Sequence, residues 1–150
     1  MKTKWASCIW LVLFGVGLSF GQGKAMEVNN YRFGQPEHYL DGYSMNFQYQ
    51  NGVAIHMIFY DGRAKYEWVG GPSRGNGNKD IAYKSLKIGD NLYLVSWHET
   101  GLKDYLTLVF DFDKMLMHNS IIIGYRNKPE RRLKTILQSG IIDQLKRATK

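Results

Sequence analysis

Residues 91–101, NLYLVSWHETG, are the stretch that decides the fold. Its side chains alternate between two faces, as they do in a β-strand, and Tyr93 and Trp97 share one of those faces. His98 and Glu99 follow where the strand ends, and the ends of rigid strands often carry binding and catalytic groups. The stretch therefore predicts a strand that delivers two proton-handling side chains to one edge of a sheet.

Short strands punctuated by turn residues flank this stretch. Residues 43–50, YSMNFQYQ, alternate apolar and polar side chains throughout. Asn51-Gly52 and Asp61-Gly62 predict tight hairpins, because both residues of each pair tolerate the positive φ of a type I′ turn. Further strands are predicted over residues 53–60, 63–69, 81–88, 105–112 and 115–123. About seven short, regularly spaced strands predict an all-β fold, an antiparallel lipocalin-like β-barrel.

The C-terminal tail changes its apolar period. Apolar residues recur there at three- and four-residue steps, at Leu133, Ile136, Leu137, Ile141 and Leu145. This spacing is typical of an amphipathic helix, although Gly140 weakens it midway. We therefore expect a C-terminal helix that packs against the barrel wall or closes one end of the barrel.

The first residues have the order of a secretory signal peptide. Residues 1–4 are basic and residues 5–20 are uncharged and mostly apolar, and small residues at Ser19 and Gly21 suit cleavage before Gln22. The apolar run is short for a membrane span, which needs about 20 residues, and an uncleaved anchor is the alternative. We expect an exported protein, periplasmic or secreted, without a stable membrane anchor.

Three segments follow from these patterns. They are a signal peptide over 1–21, a lead-in over 22–42 and a barrel domain over 43–150. Within the lead-in we expect a plug or short turn over 23–35 and a turn over 36–42. The only cysteine, Cys8, lies in the first segment. A mature chain would therefore have no disulfide and no thiolate metal ligand, and its stability would depend on its core.

The chain is basic, with 20 Lys and Arg against 13 Asp and Glu and a formal net charge of +7. Much of the excess lies in the tail, at Arg126, Lys128, Arg131, Arg132, Lys134, Lys146, Arg147 and Lys150. A basic tail can bind nucleic acid or an anionic surface. For an exported protein a solvated basic face is the simpler interpretation, and we expect no nucleic-acid partner.

Glu99 and its neighbour His98 are the best acid–base candidates. A carboxyl group buried against Trp97 has its pKa raised by desolvation, towards the value that proton transfer needs. The alternative is an exposed pair at a corner of the barrel. Tyr43 and Tyr49 would present hydroxyl groups to a cavity if the barrel closes normally, or else serve as core or rim aromatics.

Metal and phosphate sites receive little support. The histidines His56, His98 and His118 show no HxH or HxxxH spacing, so we predict no metal and no cofactor. The glycine-rich segment 70–78 lacks the spacing of a phosphate-binding loop and is flanked by strands. It predicts a lip at the mouth of the barrel rather than a phosphate cradle.

The motifs resemble those of bacterial phenolic acid decarboxylases and, more closely, those of the related MoaF-like proteins of the lipocalin-type barrel class. The resemblance covers about residues 43–123 and rests on the order of four segments: YQNG at 49–52, Tyr66 with Gly70-Gly71, the stretch 92–101, and LMHNSI at 116–121. It implies a barrel that holds a small ligand and can form a homodimer.

The decarboxylases are lyases without a cofactor that act on para-hydroxycinnamates. Their machinery is a pair of tyrosines, an arginine in the glycine-bearing loop and a glutamate. The resemblance implies a catalytic role for Glu99 and for Tyr49 as the second tyrosine. Phe47 stands in place of the first tyrosine, and Asn76 in place of the arginine, with Arg74 two residues earlier.

The predicted function is therefore binding of a small aromatic or amphipathic molecule inside an exported barrel. The residues expected to contact it are Tyr43, Tyr49, Trp68, Trp97 and Glu99, with Arg74 and His98 at the mouth. A cofactor-independent lyase or isomerase that uses Glu99 and Tyr49 is the first alternative. An interaction module that binds a partner through the basic tail is the second.

Overall fold

The computed structural model describes residues 37–99, 101–125 and 133–148. The described residues form eight strands and no helix: β1 Tyr43–Tyr49, β2 Ala54–Tyr60, β3 Arg63–Trp68, β4 Gly77–Gly89, β5 Leu92–Glu99, β6 Asp104–Asp111, β7 Leu116–Ile123 and β8 Lys134–Arg147. Each strand pairs antiparallel with the next, and β8 pairs with β1. The sheet therefore closes on itself, and the predicted all-β antiparallel barrel is confirmed.

The alternation in the sequence selects the inner face of the barrel. In β1 the residues with odd numbers, from Tyr43 to Tyr49, are all buried. In β5 the buried set includes Tyr93, Val95 and Trp97, as the period-two pattern predicts. Because an eight-stranded barrel is only wide enough for side chains to fill it or for one small ligand, these inward residues form the core.

The two predicted hairpins differ in detail. Asp61 and Gly62 both have positive φ, 46° and 70°, as a type I′ turn requires. Between β1 and β2 only Gly52 has positive φ, 81°, and Tyr49 N–H donates to Val53 O at 2.8 Å. That loop has three residues rather than two, and the predicted type I′ turn at Asn51-Gly52 is wrong.

The predicted C-terminal helix is also wrong, because the tail forms β8. This strand pairs with β7 from Ile123↔Lys134 to Leu116↔Ile141 and with β1 on its other side. Without it the barrel would have two open edges, and unpaired strand edges are unfavourable. Closure of the sheet therefore outweighs the helical period of the tail.

The misleading period has two structural sources. Leu137 and Ile141 point outwards and are 78% and 63% exposed, so they are apolar residues outside the core. The pairing with β1 also shifts register between Asn46 and Phe47, which places one extra residue in β8. Ile142 and Leu145 consequently both pair with inward residues of β1 although they are three positions apart.

One end of the barrel, which we call the closed end, is covered by residues 37–42. Leu40 is fully buried there, and Glu37 forms a β-bridge with Ser85 of β4. The Asp41 carboxylate accepts hydrogen bonds from Gly62 N–H and from the Tyr83 hydroxyl. These residues belong to the predicted lead-in, and they plug the barrel. The rest of that segment and the predicted signal peptide lie outside the described residues.

Candidate functional site

The other end of the barrel, which we call the open end, carries Glu99. This last residue of β5 is only 3% exposed. Its Oε1 accepts hydrogen bonds from the Tyr66 hydroxyl on β3 and, at 3.1 Å, from Asn78 Nδ2 on β4. No described residue donates to its Oε2. A buried carboxyl group with one unengaged oxygen is a group that can accept a hydrogen bond from a ligand.

The start of β4 brings Asn78 to Glu99. Gly77 precedes it, and a Cβ at that position would collide with the Tyr66 carbonyl oxygen, so only glycine allows β4 to approach β3 this closely. The part of β4 that precedes Tyr83 pairs with β3 and not with β5. An amide from β4 can therefore lie between the two strands and reach the carboxyl group.

A cavity of about 90 Å³, which we call the inner cavity, lies beside Glu99. Its wall combines aromatic rings, aliphatic side chains and two carboxyl groups: Phe47, Tyr49, Ile55, Met57, Tyr66, Trp68, Trp97, Glu99, Leu102, Asp104, Leu106, Leu108 and Ile121. The volume equals that of about three water molecules. The inner cavity therefore accommodates one small chemical group rather than a whole drug-sized molecule.

Two buried polar atoms in this half of the barrel have no partner among the described residues. They are the indole nitrogen Nε1 of Trp97 and the Oδ1 of Asn119. The Asn119 amide nitrogen donates to the Tyr49 hydroxyl oxygen at 2.6 Å. An unsatisfied buried polar group costs roughly 1–3 kcal/mol. Orphan groups of this kind are rare in a protein core, and they distinguish this half of the barrel from one packed only with apolar side chains.

Both tyrosines of the cavity remain protonated at neutral pH. Burial is the main cause that raises the pKa of Tyr66 far above its ordinary value, and the hydrogen bond to Glu99 raises it further. Burial also raises the pKa of Tyr49, partly offset by the hydrogen bond from Asn119. Each hydroxyl group is therefore available as a hydrogen-bond donor, and that of Tyr66 donates to Glu99.

A wider depression of about 550 Å³, which we call the outer groove, adjoins the inner cavity. The two share the lining residues Tyr66, Trp68, Glu99 and Leu102. The groove adds polar residues of the glycine-rich segment and of the β5–β6 connection, namely Ser73, Asn76, Gly77, Asn78 and Gly101. Its volume lies in the range of small-molecule sites.

The structure brings together four of the residues predicted from the sequence. Tyr49, Trp68, Trp97 and Glu99 all line the inner cavity.

The other three predicted residues lie elsewhere. Tyr43 is buried at the closed end, where its ring packs on Phe112 at 5.2 Å. His98 is exposed on the outside of β5, with its Nδ1 2.6 Å from the Tyr125 hydroxyl. Arg74 is exposed in the turn between β3 and β4 and is not among the residues that line the inner cavity or the outer groove.

Sequence reasoning gave no site role to Tyr66, Asp104, Asn78 or Asn119. Tyr66 lies two residues before Trp68 on the same face of β3, so alternation could have placed it beside the ligand. Asn119 is a polar residue between apolar Met117 and Ile121 on the inner face of β7, which is a similar signal. Asn78 lies beyond the last pairing of β4 with β5, and no sequence pattern marks it.

Neither a metal nor a membrane span is apparent in the described ranges. No group of three or more His, Cys, Asp or Glu is placed there to hold a metal ion. In the same residues no helix is long and apolar enough to cross a membrane.

A closed antiparallel barrel with one plugged end and a polar cavity at the other belongs to the calycin-like class of barrels. Residues 41–128 match the family model described as MoaF-like, and the chain belongs to that family. The match ends before β8, which completes the barrel in this chain. The suspected resemblance to MoaF-like proteins is thereby confirmed.

Solved structures share the fold. One is a crystal structure from Burkholderia vietnamiensis described as a "putative beta-lactamase", with a TM-score of 0.59 and 14% sequence identity over 73% of this chain and 96% of that chain. At such low identity the similarity establishes the fold alone. A search of the curated proteins found no match.

Proposed function

We propose that this protein binds a small aromatic or amphipathic molecule at the open end of its barrel. The observation that carries the proposal is a buried carboxyl group, Glu99, in the wall of a cavity that is otherwise lined mainly by aromatic and aliphatic side chains. A core that served only stability would place an apolar side chain at this position, because unsatisfied polar groups are costly when buried.

The dimensions of the site support one arrangement of the proposed ligand. The inner cavity of about 90 Å³ is too small for a drug-sized ligand, whereas the outer groove of about 550 Å³ is not. One end of the ligand would therefore enter the inner cavity, and the rest would lie in the groove against Tyr66 and Trp68. Their rings meet edge to face at 6.2 Å and give the groove an aromatic wall.

Tryptophan fluorescence tests the proposal directly. Trp68 and Trp97 line the cavity, and the chain has only two other tryptophans, Trp5 and Trp10. In a full-length Trp5→Phe/Trp10→Phe background all the emission would come from the site. We expect hydroxycinnamates, phenols or arylalkylamines to quench or shift this emission in a saturable manner and to raise the melting temperature.

A matched variant separates binding from non-specific quenching. Trp97→Phe keeps an aromatic ring in the cavity and removes its unpaired N–H. The ligand concentration that gives half of the maximal change in emission or melting temperature should therefore shift. If no compound of the three classes changes either emission or melting temperature, the binding proposal is wrong for this ligand class.

A cofactor-independent lyase is the second candidate, because Glu99 and Tyr49 line one cavity. In it Glu99 would transfer the proton and Tyr49 would orient the substrate. Phe47, which stands in place of the first tyrosine, has no hydroxyl group to bind a substrate. Its buried ring packs edge-on against Tyr49 at 5.5 Å. The test is the loss of para-hydroxycinnamates followed over time in the original chain and in Glu99→Gln. Equal rates in the two proteins would reject this role for Glu99.

Export remains a proposal based on residues 1–21. It predicts that the expressed full chain is recovered outside the cytoplasm and that its new N-terminus is Gln22. Recovery of the intact chain in the cytoplasm would contradict it. Binding of a macromolecular partner through the basic tail and formation of a homodimer stay predictions from the sequence.

A further inference from the structure

The charged residues among the described lining of the binding site are all acidic. Two acidic residues, Glu99 and Asp104, line the inner cavity, and no described Lys, Arg or His lines either that cavity or the outer groove. The excess of basic residues in the whole chain is therefore absent from the described walls of the site. Among the described lining residues an anionic ligand would meet no compensating charge for its lost hydration.

The two acidic residues are neighbours across the sheet. Glu99 on β5 pairs with Asp104 on β6, so their side chains leave the sheet side by side. Like charges directly opposite each other in an antiparallel pair are destabilising. The Asp104 carboxylate accepts a hydrogen bond from Gly124 N–H at 2.8 Å through Oδ1. A cation bound between the two carboxyl groups would relieve their repulsion.

Aromatic rings form the rest of the wall around the carboxyl groups. Tyr49, Tyr66, Trp68 and Trp97 all line the inner cavity. The faces of aromatic rings attract ammonium groups, and the attraction is stronger when the cation is desolvated. A cavity whose described lining combines several rings with carboxyl groups and contains no basic residue has the composition of an ammonium site.

We infer that the ligand is a small organic ammonium ion of the arylalkylamine class. The ammonium group lies between Glu99 and Asp104, and the aromatic body lies against Trp68 in the outer groove. This inference rests on the proposed binding function and specifies its ligand. It excludes aromatic carboxylates, the substrates implied by the resemblance to the decarboxylases, as the preferred ligands.

Three compounds on one skeleton test the charge of the ligand. They are tyramine (cation), 4-ethylphenol (neutral) and 3-(4-hydroxyphenyl)propanoate (anion), each titrated into the full chain by calorimetry at pH 7. We expect tyramine to bind at least about tenfold more tightly than 4-ethylphenol, as a charge-assisted hydrogen bond implies. The propanoate should bind more weakly than either.

Matched variants locate the effect. Glu99→Gln and Asp104→Asn each remove one carboxylate while keeping a similar shape, and each should weaken tyramine binding about tenfold while changing 4-ethylphenol binding less than about threefold. Asp90→Asn, in the fully exposed turn between β4 and β5 at the closed end, removes a similar charge and should change neither.

The outcomes distinguish this inference from the proposed function. If tyramine binds no more tightly than the neutral or the anionic compound, the ammonium inference is wrong while the binding function stands. If tyramine binds best but neither Glu99→Gln nor Asp104→Asn weakens it, the assigned position is wrong. If none of the three compounds, nor any other member of the panel proposed above, binds, both proposals fail.

Discussion

The two ends of the barrel interior have opposite chemistry. At the closed end, rings of Phe59, Tyr83, Phe110 and Phe112 pack with centroids 4.9–6.1 Å apart, and the Tyr83 hydroxyl donates to Asp41 at 2.8 Å. At the open end a cavity remains beside Glu99, and the adjoining half of the barrel leaves two polar atoms unpaired. One strand, β5, contributes to both ends, from Tyr93 to Glu99.

The two ends therefore contribute differently to the stability of the fold. Burial of apolar surface contributes about 25 cal/mol per Å², and the closed end provides it with few unpaired polar atoms. His38 Nδ1 is the exception there. The open end buries groups that reduce stability unless a ligand or water satisfies them. We therefore expect substitutions at the two ends to affect folding and binding differently.

The largest effect is expected at the closed end. Phe110 is fully buried, so Phe110→Ala should lower the free energy of unfolding by about 3–5 kcal/mol through lost burial and the cavity left behind. The substitution at the open end, Trp97→Phe, keeps a ring in the core and should cost about 1 kcal/mol or less, because removal of an unpaired N–H offsets lost packing. Denaturant unfolding measures both, and equal losses would refute the distinction between the two ends.

An intermediate effect is expected at Tyr49 and Asn119. Tyr49→Phe removes the acceptor of the Asn119 amide and leaves a second atom of Asn119 unpaired, which should cost about 1–3 kcal/mol. A double variant, Tyr49→Phe with Asn119→Leu, also replaces the orphan amide by an apolar group. The double variant should therefore be more stable than Tyr49→Phe alone. A simple sum of the two single losses would show that the pair is not coupled.

The smallest effect is expected in alkaline solution. The pKa of Tyr66 in the folded chain lies above its ordinary value of 10.0, so the unfolded chain loses this proton first. Stability from this group is complete below about pH 10 and declines as the pH rises further. Tyr66→Phe should make the fall in unfolding free energy between pH 9 and pH 11 shallower. An unchanged slope would show that Tyr66 does not contribute.

The alternating strands of the fold could be predicted from the sequence because one face of each is buried. Alternation placed Tyr49 and Trp97 inside the barrel, and the end of β5 marked Glu99. The helix predicted for the tail was wrong because the periodicity treated apolar residues on the outside of β8, such as Leu137, as if they were buried. Period alone does not distinguish an apolar residue in the core from one on the surface.

The site was harder to predict than the fold. Its hydrogen bonds join β3, β4 and β5, and the partner residues are 21 and 33 positions away from Glu99 along the chain. The strands that meet at Glu99 are determined by the irregular pairing of β4, because the part of β4 that precedes Tyr83 does not pair with β5. A local sequence pattern contains no information about that departure.

The plug at the closed end also determines where the described barrel starts and finishes. Ala148 N–H donates to Gly42 O at 2.8 Å, so the two ends of the barrel segment lie side by side, opposite the mouth. Domains with adjacent ends tolerate circular permutation and insertion into other proteins. Residues 37–148 begin at Glu37 in the plug and end at Ala148 beside Gly42, so this segment could be inserted into a loop of a reporter protein with the binding site facing away from the host, as the recognition module of a sensor.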